Sequence, residues 1–174
     1  MARPRISTLL AAIFCLGLLA MWVYAFVFAP RDNPDKIGDR AWVAGAEIIC
    51  AKSKAQLNQL PTAQSFLKIE PRTEALRQRA DVGDRANEIL RAMMAEVGAT
   101  RPTDERGIRA VRLWLDDWTN LLANRQRQVG KWRAGVDDPF EESVSEKRVP
   151  IGTRMGQFAR GNRMPSCQPP GDMG

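Results

Sequence analysis

The chain has 174 residues, a formal net charge of +6, 44% hydrophobic and 26% charged residues, which by length is one domain or one domain plus an appendage. Residues 6–30 carry no charge, so all 26 basic and all 20 acidic side chains lie outside them; that division argues against a purely cytosolic globule, and the apolar periodicity elsewhere argues against disorder throughout. There is no histidine, which removes the commonest general base and the commonest metal ligand.

The uncharged run spans Ile6 to Pro30, and residues 6–29 read as a transmembrane signal anchor. About 20 apolar residues suffice to cross the roughly 30 Å hydrocarbon layer. Trp22 and Tyr24 lie towards one end, where amphipathic rings favour the interface. Arg3 and Arg5 precede the run in a stub over 1–5, while beyond it Arg31, Lys36 and Arg40 are balanced by Asp32, Asp35 and Asp39. The positive-inside bias therefore predicts a cytoplasmic N-terminus and an extracytoplasmic remainder, in a single-pass plasma-membrane protein. A cleaved signal peptide is the competing reading, but its apolar region is usually only about 7–15 residues long, and cleavage after Ala29 would place Pro30 first. Phe14 before Cys15 argues against a lipoprotein, so Cys15 reads as a small apolar residue in the bilayer.

Residues 30–38 read as a linker, with Pro30, Pro34 and Gly38 interrupting any continuous helix, and residues 39–174 as the outer domain. A first outer helix is predicted from about Arg40 to Leu60, capped by Asp39 and stopped by Pro61, with Trp42, Ala46, Ile49, Ser53, Leu57 and Leu60 on one face. A second fits Pro71 to Val97, its stripe carrying Leu76, Ala80, Gly83, Leu90, Met94 and Val97. Asn87 falls on that stripe, either fixing register or facing outward; Gly83 is a local weakness of about 1 kcal/mol relative to alanine. The third, from 104 to 134, has Thr103 as a candidate cap and repeats Ile108, Val111, Leu115, Trp118, Leu122, Val129 and Trp132, with Arg125 breaking the rhythm. At 1.5 Å per residue it is about 46 Å long, which suits an elongated antiparallel bundle. After Gly135 the chain turns irregular. A short helix is predicted over 153–160, with Met155 and Phe158 inward, followed by an extended tail.

Setting Cys15 aside leaves Cys50 and Cys167 outside the membrane. An even number in an oxidising compartment predicts a disulfide rather than two buried thiols. It would tie the tail to the first outer helix, and chain-entropy arguments give so long a loop roughly 4–5 kcal/mol, often an overestimate.

The segment Trp114-Leu115-Asp116-Asp117-Trp118, followed by Phe158-Ala159-Arg160-Gly161-Asn162-Arg163-Met164-Pro165-Ser166-Cys167, resembles a family of small, uncharacterised single-pass membrane proteins from actinobacteria. That family carries a Trp-Leu-x-Asp-Trp helix and a Phe-Ala-x-x-Asn-x-Met-x-x-Cys tail, and the likeness covers most of residues 40–170. Twenty arginines against six lysines fit a GC-rich genome. Asn124-Arg125 departs from the family's acidic residue before arginine, so an ion pair is not implied there. The resemblance implies architecture and brings no function.

Candidate chemistry is sparse. Asp116 and Asp117 are adjacent on a helix and point roughly 100° apart, so they do not converge for acid–base work; Asp116 is spaced to pair with Arg112, and Glu105 with Arg109. No Gly-x-Ser-x-Gly elbow, phosphate loop or calcium-loop spacing appears. Two cysteines without histidine make a poor zinc set. No catalytic, cofactor-binding or metal residues are therefore predicted. Basic residues thicken at Arg125, Arg127, Lys131, Trp132 and Arg133. Such a stripe binds anionic lipid or an acidic polymer, or is simply a charged bundle face; an external location disfavours nucleic acid.

The expectation is an all-α protein: a transmembrane helix plus an elongated antiparallel three-helix bundle with an irregular C-terminal tail. Its expected role is non-catalytic, in protein interaction or scaffolding at the bacterial envelope, with the lipid bilayer and an envelope or membrane protein as partners. The alternative is a ligand-binding or sensor domain for an anionic or lipidic molecule.

Overall fold

The computed structural model describes residues 6–28, 35–145 and 148–171, and the chain divides into two compact units, Met1–Asn33 and Pro34–Gly174. The stub 1–5 and the first linker residues, 30–34, fall outside the described residues.

In the first unit, helix α1 (Ile6–Val23) continues as a π-helical turn, Tyr24–Phe28. Leu10–Phe28 is long and apolar enough to cross a membrane, and none of it is buried. A helix that is apolar all round satisfies its own backbone but offers no polar face to water. Trp22 stacks on Phe26 with ring centroids 5.1 Å apart.

The second unit holds α2 (Arg40–Leu57), α3 (Arg72–Gly98), α4 (Glu105–Arg133) and α5 (Ile151–Gly161), with short 3₁₀ turns at Ala63–Phe66 and Pro165–Cys167. Among the described residues there is no strand, only one bridging pair, Val144 and Pro150. The helical bundle with an irregular tail is as the periodicity predicts. Helix α2 ends three residues before Leu60, because Gln59 and Leu60 donate instead to Gln56 and Leu57, tightening the last turn. The cap of α4 is Asp104 rather than Thr103: its Oδ2 accepts from the Gly107 N–H at 2.7 Å. Thr103 is drawn away, donating through both its N–H and its hydroxyl to Asp39. Helix α5 starts at Ile151, two residues early, directly after Pro150.

Packing follows the apolar stripes. The short turn between α3 and α4 lays the two longest helices side by side. Gly83 permits their closest approach, since a Cβ there would stand 2.7 Å from Val129 Cγ2. A small cluster of Leu76, Ala80, Val129 and Trp132 fills that region. The main core joins α2, α3, α4, α5 and the tail around Trp114, which stacks on Phe158 at 5.3 Å and meets Trp118 edge-on at 6.0 Å. Cys50 and Cys167 form the predicted disulfide, with Cα atoms 5.0 Å apart and both residues buried.

Part of the predicted linker belongs to this unit. Ile37 is fully buried, because the turn over 35–38 is held by Asn162 near the other end of the domain. The tail pattern has a structural meaning too. Phe158, Ala159, Asn162, Met164 and Cys167 are all buried, as are Trp114, Asp117 and Trp118 of the helix pattern, whereas Asp116 is exposed.

Candidate binding groove and the polar contacts around it

The second unit carries a groove of about 720 Å³ bounded by α2, the loop after it, α3, α4 and the tail. Its position follows from three local causes. The disulfide fixes the tail against α2, Gly83 lets α3 lie close to α4, and the α2–α3 loop buries its own Phe66. The volume falls within the range of about 300–1,000 Å³ common for small-molecule sites. Leu57, Phe66, Leu90, Met93 and Trp118 give the wall its apolar area. Lys54, Arg79 and Arg125 give it three cations, and among the described residues that line it there is no Asp or Glu.

The wall carries buried polarity. Arg125 is only 4% exposed and its Nε donates to Asn87 Oδ1 at 2.8 Å. Asn87, the polar residue on the apolar stripe of α3, thus meets the arginine that breaks the rhythm of α4. Arg79 lies over the Trp132 ring at 4.2 Å and reaches Asp137 at 3.5 Å. The Trp118 indole N–H is buried and has no hydrogen-bond acceptor, a costly state for a polar group away from water. A second depression, of about 460 Å³, shares Arg125 and the tail segment from Gln168 to Gly171.

The predicted basic stripe is divided by the fold. Arg125 and Trp132 turn inward, while Arg127 donates to Asn124 on its own helix. Lys131 sits 3.4 Å from Asp138 and 3.7 Å from Glu141. Arg133 bridges Asp81 at 3.0 Å and Asp84 at 2.5 Å; the hydrogen bonds to Asp84 and then Asp81 hold its pKa above the ordinary arginine value. Burial pushes the Asp84 carboxyl up, but hydrogen bonds from Gln126 and Arg133 outweigh it and leave that carboxyl below its usual value. Only Arg125 of the five lines the groove.

The acidic pair is divided as well. Asp116 is exposed, and Asp117 is buried against Arg154 of α5, which donates from Nε at 2.8 Å and from a terminal nitrogen to the other carboxylate oxygen. Glu105 and Arg109 lie 3.5 Å apart, as their spacing predicts. At the N-termini of α2 and α4 two caps interlock. Asp39 accepts from Trp42 and Thr103, and its own N–H donates to Asp104 Oδ1 at 3.1 Å. Trp42 first, then Thr103, hold the Asp39 carboxyl below its ordinary pKa. Burial acts upward on Asp104, but N–H groups of Gly107, Asp39 and Gly38 outweigh it and bring that carboxyl down too.

Among the described residues no three His, Cys, Asp or Glu side chains gather as a metal site. Lys54, Arg79 and Arg154 escape prediction from sequence, since their roles depend on elements far apart in the chain. Comparison with known proteins finds no matching protein-family model, no matching curated protein and no matching solved structure.

Proposed function

We propose that the chain is a single-pass, membrane-anchored helical module on the outer face of a bacterial plasma membrane, acting by binding rather than catalysis in protein interaction or scaffolding at the envelope. The groove of about 720 Å³ is the observation that carries the binding role. The anchor reading is supported by the apolar Leu10–Phe28 helix, and the orientation by Arg3 and Arg5 on one side of it. The Cys50–Cys167 disulfide fits an oxidising compartment. The non-catalytic reading draws on the divergence of Asp116 and Asp117, the latter occupied by Arg154. A second reading, a domain that holds an anionic or lipidic envelope molecule, is favoured by the cation-rich, carboxylate-free wall of the same groove.

The test is a photo-crosslinking amino acid placed at Asn58 on the groove wall in living cells, with the same residue at Glu105 as control. A discrete adduct with one envelope protein from Asn58 alone supports the interaction module. A monomer without adducts of any kind at Asn58, or an outer part that resists protease added to intact cells while protease admitted to the interior digests it, overturns it.

A further inference from the structure

The groove narrows the chemistry of its occupant. Its apolar wall of Leu57, Phe66, Leu90, Met93 and Trp118 calls for hydrocarbon. Its cations, Lys54, Arg79 and Arg125, call for negative charge, and the absence of Asp and Glu among the described lining residues removes the local repulsion an anion would otherwise meet. Arginine's planar fork matches carboxylate and phosphate oxygens. Trp118 adds a buried indole N–H without an acceptor. Size decides between a thin chain and a peptide helix. With side chains a helix is about 10–12 Å across and rises roughly 5.4 Å per turn, so about 720 Å³ holds less than two turns. An extended acyl chain needs no such width.

We propose that the groove binds a single-chain amphiphile, an acyl chain ending in an anionic carboxylate or phosphate head. This rests on the second reading above, a domain that holds an anionic or lipidic envelope molecule, and names what its groove takes up. The chain lies against the apolar wall and the head is held by the wall's cations. Lys54, exposed on α2, adds attraction without being part of the packed core.

The experiment uses the full-length protein in nanodiscs of phosphatidylcholine, with three diazirine-bearing probes: a long-chain fatty acid, a lysophosphatidate and the matching fatty alcohol. Labelled peptides are mapped by mass spectrometry. The expected result is label on the peptides carrying Leu57, Phe66, Leu90 or Met93, roughly tenfold stronger with an anionic probe than with the alcohol, as one charge-assisted contact gives. The stronger of the two anionic probes identifies the head group. Lys54→Glu, at an exposed position, should lower the label several-fold with helical content unchanged. Label confined to Leu10–Phe28, or equal label from acid and alcohol, overturns the proposal. If it is overturned while the Asn58 crosslink to an envelope protein persists, the amphiphile is lost and the interaction module stands; if both vanish, both fall.

Discussion

Ile37 and Asn162 are joined by a buried hydrogen bond across 125 positions of chain, the Ile37 N–H donating to Asn162 Oδ1 at 2.8 Å. The same side chain donates through Nδ2 to the carbonyls of Asp35 at 2.9 Å and Phe158 at 3.1 Å. One amide thereby satisfies backbone groups at both ends of the domain. Asn162→Leu leaves the Ile37 N–H without its acceptor in a dry site. We expect a loss of about 2 kcal/mol, read as a lower urea midpoint of helical signal.

Removing Arg154 should be felt through Asp117. Arg154→Met strands a buried carboxylate, and breaking such a pair costs several kcal/mol. Arg154 is half-exposed, so screening reduces this to about 2 kcal/mol. Asp117→Leu added to Arg154→Met should recover most of the loss in a double-mutant cycle, which a purely steric role for Arg154 would not allow.

Gly83→Ala sets two effects against each other. Alanine improves helix propensity by about 1 kcal/mol. Its Cβ would stand 2.7 Å from Val129 Cγ2, and overpacking of this kind costs typically about 1–3 kcal/mol. The clash should win, lowering the melting temperature, and Val129→Ala should restore part of it.

Asp39 and Asp104 make the fold acid-sensitive. Both carboxyls have folded pKa values below their ordinary ones. Their contribution is complete above about pH 4, the unfolded carboxylate range, and is lost as pH falls through the lower folded values. Stability should therefore decline below about pH 4, and Asp104→Asn should flatten that decline. An unchanged acid limb in the variant would show that other carboxylates set it.

Loss of the disulfide should weaken the domain strongly. Cys50 and Cys167 are 117 positions apart, and loop-closure entropy puts the ceiling at about 4–5 kcal/mol. Cys167→Ser should lower the unfolding midpoint accordingly, with α3 and α4 keeping their helical signal longest because their mutual contacts do not involve the tail.

Much of this architecture is legible in the sequence because period and punctuation are local. The stripe of α3, the Asp39 cap and the αL position of Gly135 (φ +80°) are decided within a few residues. The disulfide is legible from compartment and parity. Cross-chain polar pairs are not. Asn87 and Arg125 each look like a flaw in an apolar stripe, and only the register of α3 against α4 reveals that each answers the other. Asp117 reads only as half of a divergent acidic pair until α5 brings Arg154 to it. Ile37 reads as linker because the residues around it break helices, yet one buried side chain and one distant amide suffice to dock the segment. The groove is the least legible feature. Its wall draws single residues from several elements, and no window of sequence contains enough of them to be noticed.

The residues that clasp α2 and the turn before it, Asn162, Ser166 and Cys167, all follow α4 in the chain. Helices α3 and α4 can pair as they emerge, but Ile37 and Cys50 must wait until Asn162 and Cys167 have been made before amide and thiol find their mates. A nascent chain halted before Asn162 would present Ile37 and Cys50 to chaperones and proteases, so quality control over this unit turns on whether α5 and the segment after it have been made.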